Sequence, residues 1–217
     1  MRFIIRKYCF SRVGTDMKTY EIHKVSGIVE WDAVPVIKID HAYMQTPDTI
    51  KAYAQICYNE EELLVHLRTV EKNIRAVENG PLGRPWEDSC LEFFFCPEEN
   101  DNRYFNIEFN SNGCLFLGFG TGLSDRVRLI KADINEVLCP KINLTDDGWE
   151  IFYRIPYSFI KGFFPDFKVY EGKIIKANCY KCADFSEPPH YLSWSTVSEN
   201  PFTFHNFSCF GTMKFVE

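Results

Sequence analysis

The sequence predicts an all-β protein, a single-domain antiparallel β-sandwich with immunoglobulin-like or jelly-roll type layering. Short runs alternate apolar and polar residues with the period of two that a half-buried strand requires. Clusters of Gly, Pro, Asn and Asp close each run. Twenty Phe, eleven Tyr and four Trp among 217 residues add rings that suit a pleated, half-buried surface.

The elements follow in order. "KAYAQICY" (51–58) and "LLVHLRTV" (63–70) read as a hairpin around "NEE". "CLEFFFC" is a strand, followed by the polar turn "PEENDN", the strand "YFNIEFN" and the turn "SNG". "CLFLGF", "GWEIFYRIPY", "GKIIKANCYKCAD", "YLSWSTV" and "GTMKFVE" supply later strands. One helical turn is expected at "SFIKGFF", with Ser158 as its N-cap. Residues 1–30 are less patterned and read as an N-terminal strand or arm; residues 31–217 form the sandwich.

A formal charge of −6 argues against a non-specific nucleic-acid binder, whose affinity comes from Lys and Arg neutralising phosphates. No apolar run approaches the ~20 residues of a membrane-spanning helix. The start, "MRFIIRKYCFSRVG", lacks the apolar stretch of a secretory signal. As written the chain is expected to be cytoplasmic, and secreted or periplasmic if a signal has been trimmed. Nine cysteines are an odd number, and Cys90, Cys96, Cys114, Cys139 and Cys209 sit in apolar surroundings typical of free thiols. Cys179 and Cys182 have CxxC spacing, but on a strand positions three apart point to opposite faces. No metal set is expected.

Strand parity singles out the candidate chemistry. Phe105, Ile107 and Phe109 face one way, Asn106, Glu108 and Asn110 the other. Asp88 is in phase with Glu92; Lys176, Asn178 and Tyr180 share a side. Sandwich interiors take the apolar faces, so these polar sets are expected on the outside. Trp86 lies in a Gly/Pro-bounded loop, and Phe202, Phe204, His205 and Phe207 crowd another. Rings combined with carboxylates and amides suit sugars: a ring plane stacks on pyranose C–H groups while charged groups hold the hydroxyls.

Several segments, in order, resemble family 9 carbohydrate-binding modules. "PWEDSCLEFFF" resembles the family's signature. "YFNIEFNSNG", "DDGWEIFYRIPY", "KANCYKCAD", "YLSWSTV" and "FHNFSCFGTMKF" resemble later segments, over about residues 31–217. The resemblance implies a β-sandwich without catalytic activity that clamps a sugar between two rings, in known members at the reducing end of β-linked glucose or xylose chains. By motif, Trp86 matches the first ring, Glu92 an acidic hydroxyl partner and Phe204 the second ring, with Phe202 the nearest alternative. Asn178 and Tyr180 fall on the strand carrying an amide ligand, Tyr180 standing in for that amide. Glu108 falls where the family uses an arginine, Phe152 or Tyr153 where it has an acidic residue, and Phe207 where it has proline. The implied partner is an oligosaccharide or polysaccharide chain end. No cofactor is expected, calcium at "PEENDN" being the one left open.

Other readings stay open at this stage. Glu92 with Glu108 or Asp88 could be the acid–base pair of a xylanase-type glycoside hydrolase, or belong to an accessory protein of one. Met44 with His41 or His66 are the only candidates for holding haem. In a structural or interaction module, Trp86 and Phe204 would belong to the core.

Overall fold

The computed structural model describes residues 18–217. The first part of the expected N-terminal arm, residues 1–17, lies outside the described residues; Thr19–Lys24 forms a strand, β1. Strands β2 (Ile37–Ile39), β3 (His41–Tyr43), β4 (Lys51–Tyr58) and β5 (Glu62–Val70) follow. After them come β6 (Cys90–Cys96), β7 (Tyr104–Asn110), β8 (Leu115–Gly120) and β9 (Val127–Arg128). The short helix α1 (Ile134–Leu138) precedes β10 (Lys141–Thr145) and β11 (Gly148–Pro156). A second, α2 (Tyr157–Lys161), leads to β12 (Ile174–Ala183) and β13 (His190–Ser193). Two-residue strands β14 (Ser198–Glu199) and β15 (Phe202–Thr203) pair with each other before β16 (Gly211–Val216) closes the chain.

The strands run in the order β10-β11-β5-β4-β1-β16-β12-β6-β7-β8-β9. Pairing is antiparallel except at β1, which is parallel to both β16 and β4. The sheet curls until its two halves face each other as a sandwich. Ile56, Val65, Leu67, Trp149 and Ile151 from one half pack with Phe93, Phe95, Ile107, Leu117 and Met213 from the other. Each such side chain stabilises the fold by about 1.5–3 kcal/mol through its removal from water.

Three sequence expectations need correction. The predicted turn forms as α2, but Pro156, not Ser158, holds the N-cap position; proline's fixed φ suits the entry to a helix. Helix α1 was not foreseen, because five residues are too few for a 3.6-residue period to show. Third, the polar faces of β6 and β7 are not outside: every residue of both strands is buried. The chain between β12 and β16 folds back over that face as a third layer. There Phe94, Tyr104, Tyr180 and Cys182 meet Tyr43, Val197, Phe204 and Phe210 in a second apolar cluster. Among the described residues no helix is long and apolar enough to cross a membrane.

Candidate functional site

Register brings the predicted polar residues together on this covered face. Glu92 lies between Glu108 of β7 and Tyr180 of β12, and Glu108 lies opposite Phe116 of β8. The row Phe116–Glu108–Glu92–Tyr180 therefore crosses four adjacent strands, roughly 14 Å at the usual strand spacing. A second row, Gly118–Asn106–Phe94–Asn178, runs beside it.

Aromatic rings stand at both ends of the first row. Trp86 is half-buried in a 3-10 turn, Pro85–Glu87, and meets Phe116 edge-on at 5.3 Å. At the other end Phe204 stacks flat on Tyr180, centroids 4.2 Å apart and planes at 13°. Phe202 meets the edges of Phe204, Tyr43 and Tyr191. Phe204 is 9% exposed, Glu92 3% and Glu108 2%. The predicted pair of open parallel walls is thus a closed arrangement here: Tyr180 Oη donates to Phe204 O at 3.0 Å and holds the covering segment down. Asn178 is likewise engaged. Its Oδ1 accepts from Cys179 N and Ser195 N, and its Nδ2 donates to Ser195 O. It positions the chain that covers the site.

The acids of the Trp86 motif have divided duties. Glu87 pairs with Arg84 at 2.8 Å. Asp88 accepts from Val77 N, Glu78 N and Asn110 Nδ2 and pairs with Arg75, tying down the preceding loop. Glu92 alone reaches the row between the rings.

Electrostatics single out that row. Burial pushes the Glu92 carboxyl up to about 7; the Cys182 thiol, donating to Oε1 at 2.8 Å, works against this, and Asp184 adds to it. Glu108 is raised well above the ordinary carboxylate range by burial and by the charge of Glu92, with Arg126 and Asn106 opposing. Asn106 Nδ2 donates to Glu108 Oε1 at 2.5 Å, while buried Asn106 Oδ1 has no partner. Gly118 makes room for that amide, since a Cβ there would lie 2.0 Å from Asn106 Oδ1.

Sequence reasoning missed Arg126, Phe116 and the role of His205. Arg126 lies over the Phe116 ring, 4.6 Å from its centroid, with Nη1 3.6 Å from Glu108 Oε1. The same Nη1 donates to His205 Nε2 at 2.8 Å, so the imidazole proton sits on Nδ1, facing Tyr104 Oη at 2.9 Å. Burial, reinforced by Arg126, pushes His205 down to about 3. Nothing in "TGLSDRVRL" marks Arg126 from sequence; Asn106 was visible through its phase with Glu108. The haem alternative finds no free ligand in His66, whose ring nitrogens meet Gln55 Oε1 and Glu150 Oε2.

The sequence model of carbohydrate-binding family 9 matches residues 24–215. The chain belongs to that family. Among solved structures, a candidate carbohydrate-binding protein from Bacteroides uniformis ATCC 8492 is 28% identical to this family 9 chain, with a TM-score of 0.78 over 92% of it and 99% of that chain. A family 9 module from Caldicellulosiruptor kristjanssonii, seen with glucose, is 14% identical, with a TM-score of 0.63 over 91% of this chain and 95% of its own. A family 9 module from that organism seen with cellotriose is 15% identical, with a TM-score of 0.63 over 92% of this chain and 94% of its own. No curated protein matches.

Proposed function

We propose that this chain binds, without catalysis, one sugar ring between Trp86 and Phe204, at the end of a β-linked glucan or xylan chain, the covering segment lifting off Tyr180 to admit it. Glu92, Glu108, Asn106 and Arg126 hold the hydroxyls. The observation that carries the reading is the row itself, two carboxyls side by side with rings at both ends. A carboxyl held near neutrality can donate or accept, which suits hydroxyls that do both. The glucose and cellotriose complexes of the Caldicellulosiruptor modules favour a glucose-configured ligand.

Isothermal titration against glucose, cellotriose, xylobiose and their reduced forms tests this. Binding is expected for unreduced sugars. Trp86→Ala should weaken it by about ten- to a hundred-fold, the range of 1.5–3 kcal/mol for uncovering one large side chain. Absence of heat at millimolar sugar from the folded protein refutes the reading. Sugar release from xylan that is abolished in Glu92→Gln would establish a hydrolase instead.

A further inference from the structure

Among the described residues, one trio of metal-ligating side chains lies together: Cys90, Glu92 and Cys182, all buried, with donor atoms within 4.8 Å of one another. The CxxC spacing is not what assembles it. The pleat sends Cys179 into the main core and Cys182 into the second cluster. Antiparallel register then sets Cys182 opposite Cys90, and Glu92 follows two residues along on the same face. Cys96 contacts Glu98 O and Asp101 O, and Cys114 contacts Gly80 O. Cys90 reaches the Leu91 carbonyl only at 4.0 Å, too distant for a firm hydrogen bond, and lies beside the Cys182 thiol.

We propose that Cys90, Cys182 and Glu92 form a site for a thiophilic divalent cation of the zinc class. Thiolate and carboxylate bonds of about 2.3 and 2.0–2.2 Å in tetrahedral geometry place the donors roughly 3.5–3.8 Å apart. Cys182 Sγ lies 2.8 Å from Glu92 Oε1, and all three donors lie within 4.8 Å of one another, so small side-chain shifts reach that geometry. Binding releases both thiol protons and any proton held by the Glu92 carboxyl, so affinity rises with pH. Two thiolates and a carboxylate around a divalent ion leave one net negative charge, with the cations Lys181 and Arg126 acting on Glu92. Three protein ligands leave a fourth position for water or another oxygen donor, as in open zinc sites. The site does not depend on sugar binding, although it shares Glu92 with it.

Cobalt(II) titration of the reduced chain, read by its thiolate-to-cobalt absorption, tests the proposal. One equivalent is expected to give the band and zinc to displace it. Cys90→Ser and Cys182→Ser should each abolish the tight equivalent, and Cys139→Ser, at an exposed thiol, should leave it intact. Glu92→Gln, which keeps both thiols, should retain the band with affinity at least ten-fold lower; circular dichroism checks that each variant is folded. No band in the wild type, or a band unchanged in folded Cys182→Ser, overturns the proposal. So does a Cys90–Cys182 disulfide whose reduction brings no metal uptake.

Discussion

His205 ties the covering segment to the polar row, and its protonation should loosen both. The folded imidazole takes up a proton only near pH 3, being buried and already accepting from Arg126. An unfolded histidine does so near 6.5. Throughout that interval the unfolded chain binds more protons, so stability falls as pH falls. From pH 6.5 to 4.5 the loss from this one group is about 2 kcal/mol, since the full 1.4 kcal/mol per unit is reached only once the unfolded imidazole is mostly charged. For a chain of this size that is roughly 4–8 °C in Tm. His205→Gln removes the titration while keeping an acceptor for Arg126 and a donor for Tyr104. Urea denaturation of both proteins at pH 6.5 and 4.5 should show the wild type losing about 2 kcal/mol more than the variant. The carboxylates, Glu71 among them, are common to both proteins and cancel in that difference. Equal losses in the two proteins would refute the argument.

Phe204→Ala should cost about 3–5 kcal/mol, as for other buried rings, seen as a lowered urea midpoint, because Phe204 packs on Tyr180 even without ligand. Lys181→Met, which leaves the fully buried Glu71 without its ammonium at 3.3 Å, should cost about 3–5 kcal/mol near pH 7; Lys181→Met with Glu71→Gln should recover part of that loss, again by urea denaturation. Gly118→Ala should drive Asn106 off Glu108 at a cost of about 1–3 kcal/mol, and sugar titration should weaken along with stability.

How much of this was legible depended on whether the signal was local. Period-two alternation located β4 to β8, β11, β12 and β16 because each carries its pattern within a few residues. It also put Asn106, Glu108 and Asn110 on one side of β7. It could not show that the side is buried, because the cover comes from residues 184–210, most of which are loop with no period to read. Contacts such as Tyr180 with Phe204, or Cys90 with Cys182, depend on loop path and strand register, and neither is written in a window of neighbours. Trp86 and Glu92 stood out in sequence through loop position, strand phase and motif resemblance; Arg126 had none of these and stayed hidden.

Glu71 on one side, and Glu92 with Glu108 on the other, are buried carboxyls that the fold treats in opposite ways. Glu71 faces Lys181, His190 and Ser89, with Trp149 Nε1 at 3.3 Å from Oε1. Burial alone would raise it, but those partners hold it down to about 2. Its charge is opposed inside the fold by the Lys181 ammonium at 3.3 Å, although its Oε2 has no hydrogen-bond partner. Glu92 and Glu108 are as deeply covered, yet they are raised rather than lowered, with one guanidinium at 3.6 Å and an adjoining amide oxygen lacking any partner. A purely structural face would be more stable with apolar side chains there, since uncompensated buried polar groups cost the fold stability. Rules of packing tend to be broken where function requires it. What lacks a partner on this face is Asn106 Oδ1, beside Glu108, and a hydroxyl of a sugar seated beside Trp86 would supply one.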